Sequence, residues 1–459
     1  MSTDVSTSHA DVQNSDDKSR LLTIKPPAER ADDVVGILSS IVPNLPKIIV
    51  DHDRVLAAAV AISTNVIGPA IRSRNFPETI TKSTLTLLQE LTRLPGNQKT
   101  WKKDISDAFN DARFFGSAVA LVQRHWLPLL RQWTLTDNKD RMLEILTRIT
   151  PPTTAGIVFG VGATSARLEA DRRTQLNLRR VAALVLAASP DAFAAELPAI
   201  LDKLVELLGA SATSSPSSTT RAEVYMVVRA LVLRTSAVHL SPLWPVVNAE
   251  LHAAVSSVAA SASTSDSSAA ATSADTYSGA AVLQACKLLD LLVVVAPDDF
   301  QLHEWLFVTD TVDAVYRSAA YQPVALVDEL SEELGNGPVA PGALTSQQQH
   351  GEDSSSSSSA NTPYRKRRPL LLNVSVEDTL LASGGTDGGN LGGSSSSGGG
   401  PGGNGKKDEL VARVLRPFFA QLSIFAFEST YAMGALDEDA CVAALLRDLF
   451  DERTIVKAL

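Results

Sequence analysis

A glycine-rich stretch, Gly156–Gly162, is the part of this sequence that most resembles a phosphate-binding loop. Such a loop presents backbone N–H groups at the start of a helix and is usually followed by Lys and then by Ser or Thr. Here residues 163–165 read Ala-Thr-Ser without a lysine, and the residues before the stretch do not predict a strand. We therefore interpret it as a connection after Pro151-Pro152, and a nucleotide-binding enzyme is kept only as a remote alternative.

The acid–base and metal-binding residue types form no recognisable catalytic pattern. No two histidines flank a glutamate at the spacing of a zinc-protease helix, and no Gly-x-Ser-x-Gly nucleophile turn is present. The paired carboxylates Asp298-Asp299 follow Pro297, where acidic residues favour the start of a helix. Structural roles are assigned to all seven histidines, which are His9, His52, His125, His239, His252, His303 and His350. We predict no catalytic residue, no metal ligand and no cofactor.

A run of four basic residues, Arg365, Lys366, Arg367 and Arg368, is the one concentrated charge in the sequence. It lies between a serine-rich segment and Pro369. Cations in such a position can attract anionic headgroups by roughly 1 kcal/mol per residue near an acidic leaflet. The run is therefore a candidate contact for an acidic membrane or an acidic partner, and a nuclear-import-like patch and plain solvated charge are the alternatives.

The overall charge argues against nucleic acid as the main partner. The 459 residues include 41 Lys and Arg and 51 Asp and Glu, so the formal net charge is −10. Nucleic-acid-binding domains are usually basic, and we predict no nucleic-acid partner here. Two cysteines cannot build a disulfide framework, and the apolar surroundings of Cys286 and Cys441 predict reduced thiols in the core.

No stretch of the sequence predicts a signal peptide or a membrane span. The first thirty residues have no apolar core of the secretory type. Uninterrupted apolar runs such as Val55–Ile62 and Val181–Ala188 are far shorter than the ~20 residues that cross a bilayer. We therefore expect an intracellular, cytoplasmic protein that reaches membranes only peripherally.

Helical periodicity dominates the chain, and strand signals are weak, so the sequence predicts an all-α fold. Helices are expected to begin at Pro77 and, with Ser189 as the N-cap, at Pro190. Residues 282–296 are apolar all round except for a narrow stripe of Gln284, Lys287 and Asp290, which we expect to be wet. Such a helix needs a central position between neighbours. Helix pairs of this kind predict an α-solenoid-like array of the HEAT or armadillo type, although no clean sequence repeat is present.

Composition divides the chain into a helical array and segments that cannot form a core. We predict a disordered lead at residues 1–30 and a helical array at 31–334 with loops at about 209–220 and 256–278. Residues 335–406 are predicted to be a largely disordered Ser/Gly-rich linker with a short ordered piece at about 369–381. Residues 407–459 are predicted to form C-terminal helices, kinked near Pro417, that pack on the array.

Several long runs of mixed residue types resemble the C-terminal region of the Dopey family. These runs are Trp101–Asp111, Val232–Ser236, His239–Leu240, Leu243–Val246, Leu283–Leu291, Ala296–Phe307, Phe427–Glu428 with Tyr431, and Phe450–Leu459. The resemblance extends roughly from Phe76 to the end of the sequence, and the Ser/Gly-rich segments look like insertions in it.

The resemblance implies a scaffold protein without catalytic residues, acting peripherally on Golgi, trans-Golgi network and endosome membranes. It implies two partners, a Mon2-like scaffold protein and a P4-type lipid flippase, in vesicle traffic between endosomes and Golgi. Self-association is left open. Typical members are much longer, so the resemblance implies either a fragment or a short form. The alternative function is another α-solenoid adaptor, such as a nuclear or vesicle transport receptor that binds cargo peptides in a concave groove.

Overall fold

The computed structural model describes residues 27–137, 140–149, 163–209, 218–263, 277–308, 325–335, 366–375 and 410–456. Within these ranges the regular structure is helical, apart from an isolated parallel β-bridge between Arg367 and Leu436. The predicted all-α fold is therefore confirmed. The glycine-rich stretch at 156–162 and most of the Ser/Gly-rich segments lie outside the described residues.

The described α-helices are numbered in chain order. They are α1 (Pro27–Ile41), α2 (Leu45–Ile48), α3 (His52–Ile62), α4 (Gly68–Ile71), α5 (Lys82–Arg93), α6 (Gln98–Asn110), α7 (Val119–Leu121), α8 (Leu127–Asp137), α9 (Asp140–Thr147), α10 (Ala163–Ala187), α11 (Leu197–Gly209), α12 (Ser218–Arg234), α13 (Ala237–Leu240), α14 (Trp244–Ser263), α15 (Gly279–Val295), α16 (Asp298–Gln301), α17 (Leu326–Leu334), α18 (Arg416–Tyr431) and α19 (Glu438–Leu449). Short 3₁₀ turns occupy Val42–Asn44, Ala112–Gly116, Ser241–Leu243, Glu304–Leu306 and Glu452–Thr454, and π turns occupy Ser63–Ile67, Val122–Trp126 and Val411–Leu415.

The longer helices stack on one another in a continuous series. Helix α8 packs on α10, α10 on α12, α12 on α15, and α15 on α18. Helices α9, α11, α14 and α17 lie beside this series, with α11 against α9 and α12 and with α14 against α15 and α17. Nearest-neighbour stacking of helices is typical of solenoids, and the solenoid-like architecture predicted from the sequence is confirmed.

The two central helices are buried on every face. All residues of α12 from Thr220 to Val232 and all residues of α15 from Ala281 to Val294 are buried. This burial explains why α15 is apolar nearly all round, and its predicted central position is confirmed. The expectation of a wet stripe on α15 is wrong, however, because Gln284, Lys287 and Asp290 are 2%, 4% and 0% exposed.

Two helices begin later than their proline signals predict. Helix α5 begins at Lys82, where the hydroxyl of Thr81 accepts the backbone N–H of Thr84 and donates to the carboxylate of Asp32 on α1. Helix α11 begins at Leu197, because residues 189–196 form turns in which Asp191 adopts a left-handed backbone (φ 59°). The Asp191 N–H donates to the carbonyl oxygen of Arg234 (2.9 Å), and its carboxylate accepts the N–H of Ser236 (2.7 Å). In both cases a contact with a distant segment accompanies the later start, and a local proline signal cannot reveal that contact.

The C-terminal helices return to the middle of the array. A π turn at Val411–Leu415 precedes α18, and Pro417 occupies its first turn. Helix α19 then packs on α12 and α10. Just beyond it, the ring of Phe450 lies 5.5 Å from Phe114 and 5.2 Å from Phe115, measured between centroids. The end of the chain is thereby joined to a segment more than three hundred residues earlier.

One helical stretch of the described residues, His52–Ile71, is long and apolar enough to cross a membrane by length and composition. Its α-helical geometry is interrupted by the π turn Ser63–Ile67, and a third of the apolar window is buried inside the protein. Core helices of soluble proteins pass the same test, so length and composition alone do not assign this stretch to a membrane.

Candidate interaction surface

The predicted basic run is tied to the connection between α18 and α19. Arg367 donates its Nε to the carbonyl oxygen of Gly434 (2.8 Å) and its Nη1 to that of Ser429 (3.1 Å). Lys366 and Arg368 both pair with the Asp437 carboxylate, at 3.7 and 2.6 Å. These contacts lower the pKa of Asp437 despite its burial. Arg365 lies outside the described residues. Two of the four predicted site residues thus share the Asp437 carboxylate, and Arg367 binds backbone carbonyl groups beside it.

Residues 366–375, called the strap here, cross the surface of the array as an extended and turned segment. The Asp290 carboxylate on α15 accepts the backbone N–H groups of Leu370 (3.0 Å) and Leu371 (2.6 Å). Leu371 is 1% exposed and belongs to the hydrophobic core. Arg447 of α19 donates to the carbonyl oxygen of Leu372 at 3.0 Å. The strap therefore joins α15 to the two C-terminal helices.

A buried charge centre lies at the junction of α12, α15 and α19. The carboxylate of Asp448 accepts hydrogen bonds from Arg229 (2.7 Å) and from Lys287 (2.7 and 2.9 Å). Arg229 also donates to Gln284 at 2.7 Å. Burial opposes ionisation of Asp448, but the two cations outweigh it and lower its pKa. The polar side chains of α15 thus face protein partners, which explains why the stripe is dry.

A second buried network fixes the chain after α19. Arg179 of α10 pairs with Glu223 of α12 at 2.8 Å, and both side chains are essentially unexposed. The same guanidinium donates to the carbonyl oxygens of Leu449 (2.7 Å) and Asp451 (3.0 Å). A planar guanidinium with five donors can satisfy several acceptors at once, which suits Arg179 to this junction. The network holds three segments together at one point.

An exposed apolar stripe runs along α18. Ala420, Ile424, Phe427 and Tyr431 recur at helical spacing on one face, and Met433 follows. Ile424, Phe427, Tyr431 and Met433 are 62%, 43%, 71% and 83% exposed, and the rings of Phe427 and Tyr431 lie 4.8 Å apart. Because Arg367 binds the carbonyl groups of Ser429 and Gly434, the basic strap lies beside the C-terminal end of this stripe. Apolar side chains beside cations are typical of a binding surface.

Among the described residues, the two cysteines are buried, and the side chains of His125 and His303 lie within hydrogen-bond distance of neighbouring oxygen atoms. Cys286 and Cys441 are free and buried, as the sequence predicts, and burial raises the pKa of Cys441 to about 12. A thiol with such a pKa is not a nucleophile near neutral pH. The Nδ1 of His125 lies 3.2 Å from the Gln89 side-chain oxygen, and that of His303 lies 3.1 Å from the carbonyl oxygen of Asp299. In the ranges that the structure describes, no three His, Cys, Asp or Glu side chains are grouped to hold a metal ion.

Sequence reasoning found the basic run but missed the charge centre and the apolar stripe. The signal for the charge centre was present in α15, because Gln284, Lys287 and Asp290 recur every third residue on an otherwise apolar helix. The partner residue Asp448 is 161 positions from Lys287, and a single sequence does not reveal that pairing. The stripe residues Ala420, Ile424, Phe427 and Tyr431 recur in the sequence at helical spacing, but that spacing does not show that they are exposed.

A stacked helical array with an exposed apolar stripe and a basic strap places the chain among the α-solenoid-like proteins. Residues 2–432 match the family described as DOP1 C-terminal. The chain belongs to this DOP1 (Dopey) family, as its sequence runs indicated.

Named relatives of this family extend well beyond the matched region. The chain is similar to protein dop1 of Emericella nidulans, with 46% identity over 424 residues, which are 92% of this chain and 20% of that protein. It is 25% identical to protein DOP1 of Saccharomyces cerevisiae over 61% of this chain and 16% of that protein. It is 25% identical to DOP1B of Xenopus laevis over 64% of this chain and 13% of that protein. No solved structure matches. The chain thus spans about a fifth or less of the length of these relatives.

Proposed function

We propose that this chain is a non-enzymatic scaffold module that supports membrane traffic between endosomes and the Golgi. Membership of the DOP1 family and the stacked helical architecture support the proposal. Helical arrays offer extended surfaces on a rigid frame, which suits them to hold other proteins in place. In this proposal the chain positions its partners and transforms none of them.

The exposed apolar stripe on α18 is the observation that carries the binding proposal. Ile424, Phe427 and Tyr431 stand on one face of a helix whose opposite face packs on α15 and α17. Large apolar side chains held on a rigid helix bind with little loss of side-chain entropy, and aromatic residues are enriched where partners bind most strongly. The stripe is the proposed docking face for a Mon2-like scaffold protein, and this complex then engages a P4-type flippase.

The basic strap is the proposed contact with acidic Golgi or endosome membrane surfaces. Lys366 and Arg368 are 59% and 61% exposed at their side chains while they pair with Asp437. The strap carries three positive charges, on Lys366, Arg367 and Arg368, and Asp437 supplies one negative charge. The strap together with Asp437 therefore remains net positive. At roughly 1 kcal/mol per excess cation, this attraction is weak, salt-sensitive and auxiliary to protein contacts.

Copurification from cells tests the protein-binding part of the proposal. The tagged chain is expected to bring down a Mon2-like protein and a P4-type flippase, and to fractionate with Golgi and endosome membranes. Failure to recover both proteins, together with fractionation in the nucleus, would instead favour a transport receptor.

Flotation with acidic vesicles tests the membrane part separately. Replacing Arg365, Lys366, Arg367 and Arg368 by Ala is expected to reduce retention on phosphatidylserine vesicles at low salt. Lys366→Glu changes an exposed charge without touching the buried contacts of Arg367, and Arg124→Glu, on the π turn before α8, is the matched control. If wild type and all of these variants are retained on the vesicles to the same extent, the proposed membrane contact is wrong.

A further inference from the structure

The strap contacts the array in the manner of a bound peptide. Its backbone forms a bridge to the α18–α19 connection, because Arg367 donates its N–H to Ala435 (2.9 Å) and accepts that of Asp437 (2.9 Å). Four residues later, Leu371 inserts into the core. Main-chain hydrogen bonds that supply affinity, with side chains in pockets that supply specificity, are the signature of linear-motif recognition.

Each part of the strap meets a complementary feature of the surface beneath it. The carboxylate of Asp437 receives the basic residues, and the carboxylate of Asp290 receives two consecutive N–H groups after Pro369. Pro369 favours an extended backbone at Arg368, and the turn that follows it, in which the Leu372 N–H donates to the Pro369 carbonyl oxygen at 3.4 Å, presents the N–H groups of Leu370 and Leu371 to Asp290. The surface is therefore complementary to basic residues followed by proline and leucines.

A small gap of about 10 Å³, with room for about one water molecule, lies between the strap and the array. Its array-side lining includes Arg229, Lys287, Asp290 and Cys441, and Pro369, Leu371 and Leu372 line it on the strap side. Residues 336–365 and 376–409, on either side of the strap, lie outside the described residues. Within the described residues, the strap is held by its backbone bridge, by the Asp437 and Asp290 contacts and by the buried Leu371 side chain.

From these contacts we propose that the groove between α15 and the α18–α19 connection is a recognition site for extended segments of the type basic–basic–Pro–Leu–Leu. The strap occupies this groove as a tethered ligand, and a protein partner that carries a segment of the same chemistry displaces it. Displacement would free Lys366, Arg367 and Arg368 and expose the underside of α19. The inference requires neither the Mon2-like protein nor the flippase.

Cysteine labelling of the intact chain tests local opening of the strap. Cys441 lines the gap below the strap, whereas Cys286 is buried within α15 and reports on wider unfolding. Iodoacetamide labelling is followed at both residues by mass spectrometry. Cys441 is expected to react faster than Cys286, and Leu371→Ala is expected to accelerate Cys441 at least tenfold while Cys286 is unchanged. Val238→Ala, at an exposed apolar side chain away from the strap, is the matched control and is expected to have little effect.

Addition of a free peptide tests recognition itself. A synthetic peptide of residues 366–375, added to the Leu371→Ala chain, is expected to restore protection of Cys441, and the same peptide with Leu371→Asp is not. A tethered ligand competes at an effective concentration near millimolar, so the peptide is expected to bind the wild-type chain at least tenfold more weakly than the variant. Equal labelling of Cys441 and Cys286 in all chains overturns local opening. Local opening without protection by the peptide overturns the recognition site.

Discussion

Removing the carboxylate of Asp448 is predicted to be among the most damaging single changes in the protein. Asp448 is buried and is the shared partner of Arg229 and Lys287 at 2.7 Å each. The Asp448→Ala variant leaves these two cations inside the array without that carboxylate. Loss of one partner from a buried ion pair costs about 3–5 kcal/mol, which is a large share of the about 5–15 kcal/mol that stabilises a typical domain.

The pair formed by Arg234 and Glu438 is a matched control. It joins the same two helices, α12 and α19, at the same 2.7 Å, but the Glu438 side chain is 49% exposed. Exposed pairs contribute about 0–1 kcal/mol because water and salt screen them. Glu438→Ala is therefore expected to destabilise the protein by less than 1 kcal/mol.

Urea unfolding, followed by far-UV circular dichroism, measures both effects. Combining Asp448→Ala with Lys287→Met removes one of the unpaired cations and is expected to recover at least half of the loss, which a double-mutant cycle with the two single variants reports as coupling. If Asp448→Ala and Glu438→Ala have equal and small effects, the buried charge centre is not what holds α19 on the array, and the reasoning is wrong.

Three further predictions concern other parts of the fold. Burial raises the pKa of Asp104 to about 6, so the folded protein binds the proton more tightly and Asp104 ionises at a cost. Between pH 4 and pH 8, the free energy of unfolding of the wild type should therefore fall by about 2 kcal/mol relative to that of Asp104→Asn, as measured by urea titration. A difference between the two proteins that does not change with pH would contradict this. Phe450→Ala removes a ring that contacts Phe114 and Phe115 and should cost about 3–5 kcal/mol in the same assay, whereas a loss below 1 kcal/mol would show that the chain end is not anchored there. Val238→Ser, at a side chain 75% exposed, should change stability by no more than about 0.5 kcal/mol, and a larger loss would mean that this surface is covered.

The helical structure of α15 and its burial were predictable, because both follow from residues that are close together in the sequence. The apolar periodicity of α15 predicted both a helix and its central position. The same local information could not say that Lys287 and Asp290 would be dry, because their partners Asp448 and Leu371 are far away in sequence. For the same reason Thr81, with its bond to Asp32, replaced the expected helix start at Pro77. Pairings between distant segments require the three-dimensional structure.

Exposure is the second property that periodicity does not determine. The spacing of Ile424, Phe427 and Tyr431 is equally suited to a core face, and the structure exposes all three. The basic run at 365–368 was identified from charge alone, but its binding to Asp437 and to the end of α18 was not. Candidate surfaces of scaffolds are thus harder to predict than active sites, since no fixed spacing of reactive groups marks them.

Recovery of partners by stripe variants tests the scaffold proposal most directly. The tagged chain carrying Ile424→Ser, Phe427→Ser and Tyr431→Ser is compared with wild type and with a control carrying Val238→Ser, Leu302→Ser and Trp305→Ser, which alters side chains of similar exposure elsewhere. The account predicts that wild type and control recover the Mon2-like protein and the flippase, and that the stripe variant loses at least nine-tenths of both. Undiminished recovery by a folded stripe variant, or no recovery by wild type, would contradict it.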